Sequence, residues 1–264
     1  MAGMLRRFRS SVVFAATLVF TLVASGLNAA ADELRVMTSG AFTAAYLALK
    51  PEFERTTGHT LVAVTTTMGT GDASIPSRLK RGEAADLVVM DDTSLRALIA
   101  DSLLAADSRI PLVKSSVAMA VKSGTRKPDI STVAGLRQAL LDARSIAVSA
   151  SVSGMYLTKE LFPQLGIADR VTPKVQRIEI ERVGTVVARG DAEIGFQQMS
   201  ELLPITGIDI VGPLPAEVQR VTTFSAAIVS RASHAELARA FIRFLTTPAA
   251  RSVITTTGLE PLVP

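Results

Sequence analysis

Short apolar runs alternate with stretches of helical periodicity along this chain. Leu34–Met37, Leu61–Val64 and Leu87–Met90 predict buried strands, and Ala41–Arg55 and Ile75–Arg81 predict the helices between them. After Pro111 the pattern restarts, with strands predicted at Val117–Val121, Ile146–Ser149, Val175–Ile180, Ile194–Gln197, Ile208–Val211 and Phe224–Val229, and helices at Thr132–Leu141, Gly154–Leu165, Val183–Arg189, Ala235–Leu245 and Pro248–Thr257. This alternation predicts parallel sheets with crossover helices, arranged as two α/β lobes that meet at a cleft.

The first 31 residues have the composition of a secretory leader. Arg6, Arg7 and Arg9 form a basic start, Val12–Ala24 is apolar, and Ala29–Ala31 offers a small-residue cleavage site. The apolar run is shorter than the roughly 20 residues of a membrane-spanning helix. We therefore expect residues 1–31 to be a signal peptide, the mature protein to be periplasmic, and no membrane span to remain after cleavage. An uncleaved anchor is the alternative.

Charge and composition exclude several classes of function. The 28 Lys and Arg exceed the 24 Asp and Glu by four, but three of these Arg lie in the leader, which leaves 25 against 24 afterwards. Without a basic run, we expect no nucleic-acid partner. Without cysteine there is no disulfide framework and no thiolate catalysis. His59 and His234, the two imidazoles, are predicted at the surface, so we expect no metal site and no cofactor.

Polar loops follow the predicted strands of the first half. Thr38-Ser39-Gly40 places two hydroxyls and a glycine before a helix, where backbone N–H groups can hold an anion. Residues 65–72, with Gly69 and Gly71, form a longer loop that could surround an oxyanion with N–H groups. The alternatives are ordinary helix capping in the first case and a surface turn in the second, with Asp72 or Ser74 capping the next helix.

The second half repeats this chemistry. Three serines and a glycine in Ser149–Gly154 precede a helix that carries Tyr156. Arg182 opens another helix, where it could pair with a carboxylate or remain solvated. Gln197 and Gln198 end a strand with two neutral amides, of which one faces away from the cleft because strand side chains alternate. Neutral donors and helix N-termini together predict a receptor for a small anion.

Four segments resemble the molybdate-binding type of periplasmic solute-binding protein. They are Leu34–Tyr46, Arg81–Leu87, Ser153–Tyr156 and Gly190–Gly195. The resemblance covers nearly the whole chain after the leader. It implies the type II periplasmic binding protein fold, in which two Rossmann-like lobes close on a ligand. We expect residues 32–112 plus 224–264 to form lobe 1 and residues 113–223 to form lobe 2.

The chain departs from the molybdate-binding pattern at the expected site. Ala41 stands where those proteins supply a serine hydroxyl, Gln198 replaces a tyrosine, and Arg182 replaces an acid. A guanidinium suits a planar carboxylate better than a tetrahedral oxyanion. Other segments are similar to the aconitate isomerase-like branch of the family, namely Met68–Thr70, Ile75–Leu79, Gly195–Gln198, Ser200–Pro204 and Gly258–Pro261.

Three functions follow as expectations. The first is binding of an organic di- or tricarboxylate such as aconitate by a monomer that could serve an ABC permease; the second is cis/trans-aconitate isomerisation by an allylic proton shift; the third is reception of molybdate or another oxyanion. The predicted ligand-binding residues are Ser39, Gly40, Ala41, Met68, Gly69, Thr70, Ser151, Ser153, Gly154, Tyr156, Arg182, Val183, Gln197 and Gln198. For an isomerase, Asp72 and Tyr156 are the catalytic candidates, with Glu179 and Glu181 as further acids near the cleft loops.

Overall fold

Alternating strands and helices make up the computed structural model, which describes residues 31–64, 66, 69 and 71–262. The predicted leader lies outside these residues, except for Ala31. The strands are β1 (Glu33–Thr38), β2 (Thr60–Val64), β3 (Leu87–Asp91), β4 (Ile110–Lys122), β5 (Ile146–Ser149), β6 (Val175–Ile178), β7 (Ile194–Gln198), β8 (Ile208–Pro213), β9 (Val221–Ile228) and β10 (Glu260–Pro261). The helices are α1 (Gly40–Thr57), α2 (Ile75–Lys80), α3 (Asp92–Ala100), α4 (Val133–Asp142), α5 (Val152–Tyr156), α6 (Phe162–Gln164), α7 (Ala168–Val171), α8 (Val183–Arg189), α9 (Met199–Leu202), α10 (Ala235–Leu245) and α11 (Pro248–Thr256).

The strands form a mixed sheet in the order β2-β1-β3-β9-β4-β7-β5-β6, with β8 and β10 also paired to β4. The predicted parallel pairing is confirmed on both sides, because β1 runs parallel to β2 and β3, and β5 runs parallel to β6 and β7. In the middle, β9 pairs antiparallel with β3 and β4, and β4 pairs antiparallel with β7. Strands β3, β5 and β7 are buried throughout, which explains why β3 and β5 are apolar up to their last residue; β7 ends in the two buried glutamines.

Strand β4 passes from one half of the fold to the other. Its first part, up to Ser116, pairs with β9, and its second part, from Val117, pairs with β7 and β8. Separate apolar cores lie on the two sides, one around Phe42 and Phe241 and the other around Phe162 and Phe196. The fold is thus two-lobed α/β, as predicted. We propose that the lobes have the predicted bounds, 32–112 plus 224–264 and 113–223.

Helix α1 packs on the core of the first lobe and begins at the carboxyl end of β1. Phe42, Tyr46 and Phe53 lie on its buried face, and both Tyr46 and Phe53 pack edge-on against Phe241 of α10. Only Ser39 separates the helix from β1, so the unpaired N–H groups of the helix stand at the carboxyl end of that strand. Within the described residues, no helix combines the length and the apolar character that a membrane span needs.

Several elements differ from the sequence-based expectations. Helices α3 and α9 were not predicted. Helix α9 has only four residues, and a segment of that length shows no helical periodicity in the sequence. Strand β4 starts seven residues before its predicted start, because Lys114, Ser115 and Ser116 interrupt the apolar run. The predicted helix Gly154–Leu165 starts at Val152 and contains a π-helical turn, Leu157–Leu161, between α5 and α6.

Candidate functional site

A cavity of about 390 Å³ lies where strands of both lobes end. Its walls come from the junctions β1–α1, β3–α3, β5–α5 and β7–α9, together with the segment before α8. These are the strand ends at which open α/β sheets bind ligands. Seven of the predicted ligand-binding residues line it: Ser39, Gly40, Ala41, Gly69, Ser151, Arg182 and Gln198.

The other predicted residues occupy different places. Met68 and Thr70 lie outside the described residues. Ser153, Gly154, Tyr156, Val183, Gln197 and Asp72 are not among the described residues that line the cavity. Asp72 is exposed, and the cap of α2 is Ser74, whose hydroxyl accepts from the Ser77 N–H at 3.4 Å.

The Tyr156 side chain makes its contacts with residues outside the cavity lining. Its hydroxyl donates to the Val218 carbonyl at 2.6 Å, and the Arg220 guanidinium lies 4.5 Å from its ring centroid. Burial raises the pKa of the Tyr156 hydroxyl. This shift is opposite to the one that a tyrosine acting as a base requires.

Two glycines allow close approaches around the site. Gly154 sits so near β5 that a Cβ there would come 1.8 Å from the Ser149 carbonyl oxygen, which lets α5 begin directly behind the strand. Gly69 has a φ of +76°, and a Cβ there would lie 3.1 Å from the carbonyl oxygen of Ala150. Gly69 therefore lies against the β5–α5 junction of the other lobe.

Three polar side chains that line the cavity have an atom without a partner. Among the described residues, the Ser39 hydroxyl, the Tyr46 hydroxyl and the Gln198 Oε1 atom are buried and make no hydrogen bond. Ser39 stands at the N-cap of α1 but makes no capping bond there. Buried polar atoms are nearly always paired in proteins, which makes these three atoms candidates for contact with a bound ligand.

The side chains of Gln197 and Gln198, at the end of β7, have different hydrogen-bond partners. The Gln197 side chain accepts from the Val183 N–H at 2.9 Å and donates to Glu201 Oε1 at 2.9 Å, so it links α8 to α9. Gln198 donates to the Thr222 hydroxyl at 3.1 Å and lines the cavity. The alternation of strand side chains accounts for this division, as predicted.

Glu201, on α9, brings a carboxyl group into the cavity wall. Its side chain is 3% exposed, and a Cβ added at Gly40 would lie 2.1 Å from its Oε1 atom. The carboxyl group therefore packs directly against the start of α1, in a space that only glycine leaves open. Burial raises the pKa of Glu201 to about 7, against the opposing influence of Arg182 and of the hydrogen bonds from Gln197 and the Gln198 backbone.

Arg182 is the cation among the described residues that line the cavity. Its Nη1 atom donates to the Glu201 carbonyl at 3.2 Å, which holds the guanidinium beside the buried carboxyl group. The acids of the wall are partly neutralised: Glu181 pairs with Arg189 at 2.6 Å, and burial raises the pKa of Asp91. Asp91 also accepts from the Ser94 N–H at 2.9 Å and so caps α3.

Tyr46, Asp91 and Glu201 line the site but were not among the predicted site residues. Tyr46 was assigned to the apolar face of α1, which is confirmed, and the residue also lines the cavity. Asp91 is the last residue of the buried strand β3 and Glu201 lies in the first turn after the buried strand β7, and these positions were the available signal.

Comparisons with known proteins agree with this architecture. The family model described as "Bacterial extracellular solute-binding protein" matches residues 34–260. An aconitate isomerase of Pseudomonas sp. is 42% identical over 230 residues, which cover 87% of this chain and 88% of the relative. The periplasmic molybdate-binding protein of Azotobacter vinelandii superposes with a TM-score of 0.70 at 21% identity, covering 88% of this chain and 99% of the other. The protein AgtB of A. tumefaciens R10, solved with agropinic acid, gives a TM-score of 0.66 at 16% identity, with 87% and 83% covered.

Proposed function

The chain belongs to the bacterial extracellular solute-binding protein family, and from this premise we propose that it binds aconitate between its lobes and interconverts the cis and trans isomers. The observation that carries this proposal is that three residues with a buried, unpaired polar atom line the same cavity as one guanidinium and one buried carboxyl group. The name and the 42% identity of the Pseudomonas relative identify the substrate to test.

The cavity has donors suited to several carboxylates at once. The Ser39 and Tyr46 hydroxyls and the N–H groups at the start of α1 belong to the first lobe, and Arg182 belongs to the second. Burial raises the pKa of Tyr46, so its hydroxyl stays protonated and can donate. Each charge-assisted hydrogen bond to a carboxylate contributes about 1.5–3 kcal/mol. A ligand that bridges the lobes would use both sets.

A planar carboxylate fits this chemistry better than a tetrahedral oxyanion. The guanidinium of Arg182 can donate two parallel hydrogen bonds to a carboxylate. Likeness to the Azotobacter protein extends to the fold, at 21% identity.

Isomerisation requires a proton to leave one carbon of the allylic unit and return at another. The negative charge that develops between these steps spreads onto the substrate carboxylates, where donors such as Arg182 and the α1 N–H groups would stabilise it. A group able to accept and release a proton near neutral pH completes the requirement. Nothing in this sequence of steps demands a redox change.

The test separates binding from conversion. Purified protein, residues 32–264, is incubated with cis-aconitate and the isomers are separated by chromatography, with heat-inactivated protein as the control. Binding is followed in parallel by thermal shift with both aconitates, propane-1,2,3-tricarboxylate and molybdate. Formation of the trans isomer with stabilisation by tricarboxylates supports the proposal, whereas stabilisation by molybdate alone refutes it.

Binding without conversion would instead favour the second candidate function, a tricarboxylate receptor. The neighbouring AgtB structure with its organic acid shows this fold around an organic ligand. In that case we propose that the protein delivers its ligand to an ABC permease. For either function we propose a periplasmic location and a monomer.

A further inference from the structure

Glu201 is a buried carboxyl group in the wall of the cavity. It lies on the short helix α9, directly after β7, and it packs against Gly40 at the start of α1. A buried carboxyl group without a positive partner at its oxygens costs stability. Arg182 donates to the Glu201 backbone carbonyl. The Gln197 side chain and the Gln198 backbone donate to the carboxyl group, yet burial still makes its ionised form costly.

From this geometry we infer that Glu201 is the catalytic residue that carries the proton between the two carbons of the substrate; the inference rests on the proposed isomerase function. The Glu201 carboxylate removes a proton from the methylene carbon of cis-aconitate. The electron pair of that C–H bond moves into the allylic system and onto the adjacent carboxylates, giving a delocalised carbanion. Glu201, now protonated, returns the proton to the far carbon, and the double bond has shifted with no change in oxidation state.

The surroundings of Glu201 suit both halves of this step. Gln197 donates to Oε1 at 2.9 Å and fixes the orientation of the carboxyl group. The Gln197 side chain is itself fixed by the Val183 N–H at 2.9 Å. Burial places the pKa near neutrality, so both the ionised and the protonated forms are accessible at working pH.

Other titratable candidates fit less well. Asp91 lines the cavity, but its carboxylate is engaged as the cap of α3, where it accepts from the Ser94 N–H. Asp72 is exposed and is not among the described lining residues. The Tyr156 hydroxyl is directed to the Val218 carbonyl. Glu181 is held by Arg189.

The test compares wild type, Glu201→Gln and the matched control Glu160→Gln. Glu160 is an exposed carboxylate paired with Arg220 and is not among the described lining residues. Glutamine can still accept from Gln197 but cannot carry a proton. Turnover of cis-aconitate is measured by chromatography, and binding of propane-1,2,3-tricarboxylate, which has no double bond, is measured by calorimetry.

We expect Glu201→Gln to bind this probe within about threefold of wild type while turnover falls about 10³-fold, and Glu160→Gln to match wild type. Turnover of Glu201→Gln within tenfold of wild type overturns the inference and leaves the proposed function intact. A wild type that binds the probe without turnover overturns both. If Glu201→Gln fails to fold, Glu201→Asp replaces it, because its carboxyl group is withdrawn by one methylene. A loss of turnover of about 10²-fold in Glu201→Asp supports the inference, and unchanged turnover overturns it.

Discussion

Replacing Glu201 by glutamine is expected to stabilise the protein in a pH-dependent way. The folded-state pKa of about 7 exceeds the ordinary value of 4.5 by about 2.5 units, and each unit corresponds to about 1.36 kcal/mol. Between these two values the folded state holds the proton more tightly than the unfolded state does. The free energy of unfolding of the wild type therefore falls as pH rises through this range, by up to about 3 kcal/mol from this one group.

The glutamine side chain does not titrate in this range. The free energy of unfolding of Glu201→Gln minus that of wild type should therefore grow by about 3 kcal/mol from pH 4.5 to pH 8. Other acids titrate equally in both proteins and cancel in the difference. Urea denaturation followed by circular dichroism at the two pH values measures it. Glu160→Gln, an exposed site, should differ from wild type by less than about 0.5 kcal/mol at both. If the difference in the free energy of unfolding between Glu201→Gln and wild type does not change with pH, the burial of Glu201 and its raised pKa are refuted.

Three further substitutions test the walls of the cavity. Gly40→Ala should lower the free energy of unfolding by about 1–3 kcal/mol, because the new Cβ clashes with the buried carboxyl group, although alanine is the better helix former. Gly71→Ala is the control in the same denaturation assay, because a Cβ at Gly71 would meet no other atom within 4 Å. Ser39→Ala should weaken aconitate binding in calorimetry about three- to tenfold and leave stability unchanged, because this N-cap residue makes no capping bond; Thr247→Ala, which removes a real cap, should cost about 1 kcal/mol of stability and no affinity. Arg182→Ala should weaken aconitate binding about 30-fold in calorimetry, and unchanged affinity would exclude Arg182 from the site.

The sequence predicts the parallel parts of this fold well, because their apolar runs are continuous. Strands β3, β5 and β7 and the helices that follow β1 and β5 lie where periodicity places them, and with them the loops that form the cavity. The antiparallel centre is harder to predict. In β4 the polar residues from Lys114 to Ser116 hide a strand whose pairing depends on β9, more than 100 residues further along the chain.

Side-chain roles within the site depended on contacts that no local pattern encodes. Sequence alternation separates Gln197 from Gln198, and the structure places only the latter on the cavity. The position of Glu201 against Gly40 joins residues 161 positions apart, and the pKa of this acid follows from that burial. Tyr46 shows the complementary case, since one side chain serves both the apolar core and the ligand cavity.

Proton NMR of the wild-type protein with cis-aconitate in D₂O tests the central claim most directly. The account predicts that the signals of trans-aconitate grow with time, above those of a heat-inactivated control. Broadened cis-aconitate lines without any trans signal would contradict catalysis and identify a carboxylate receptor.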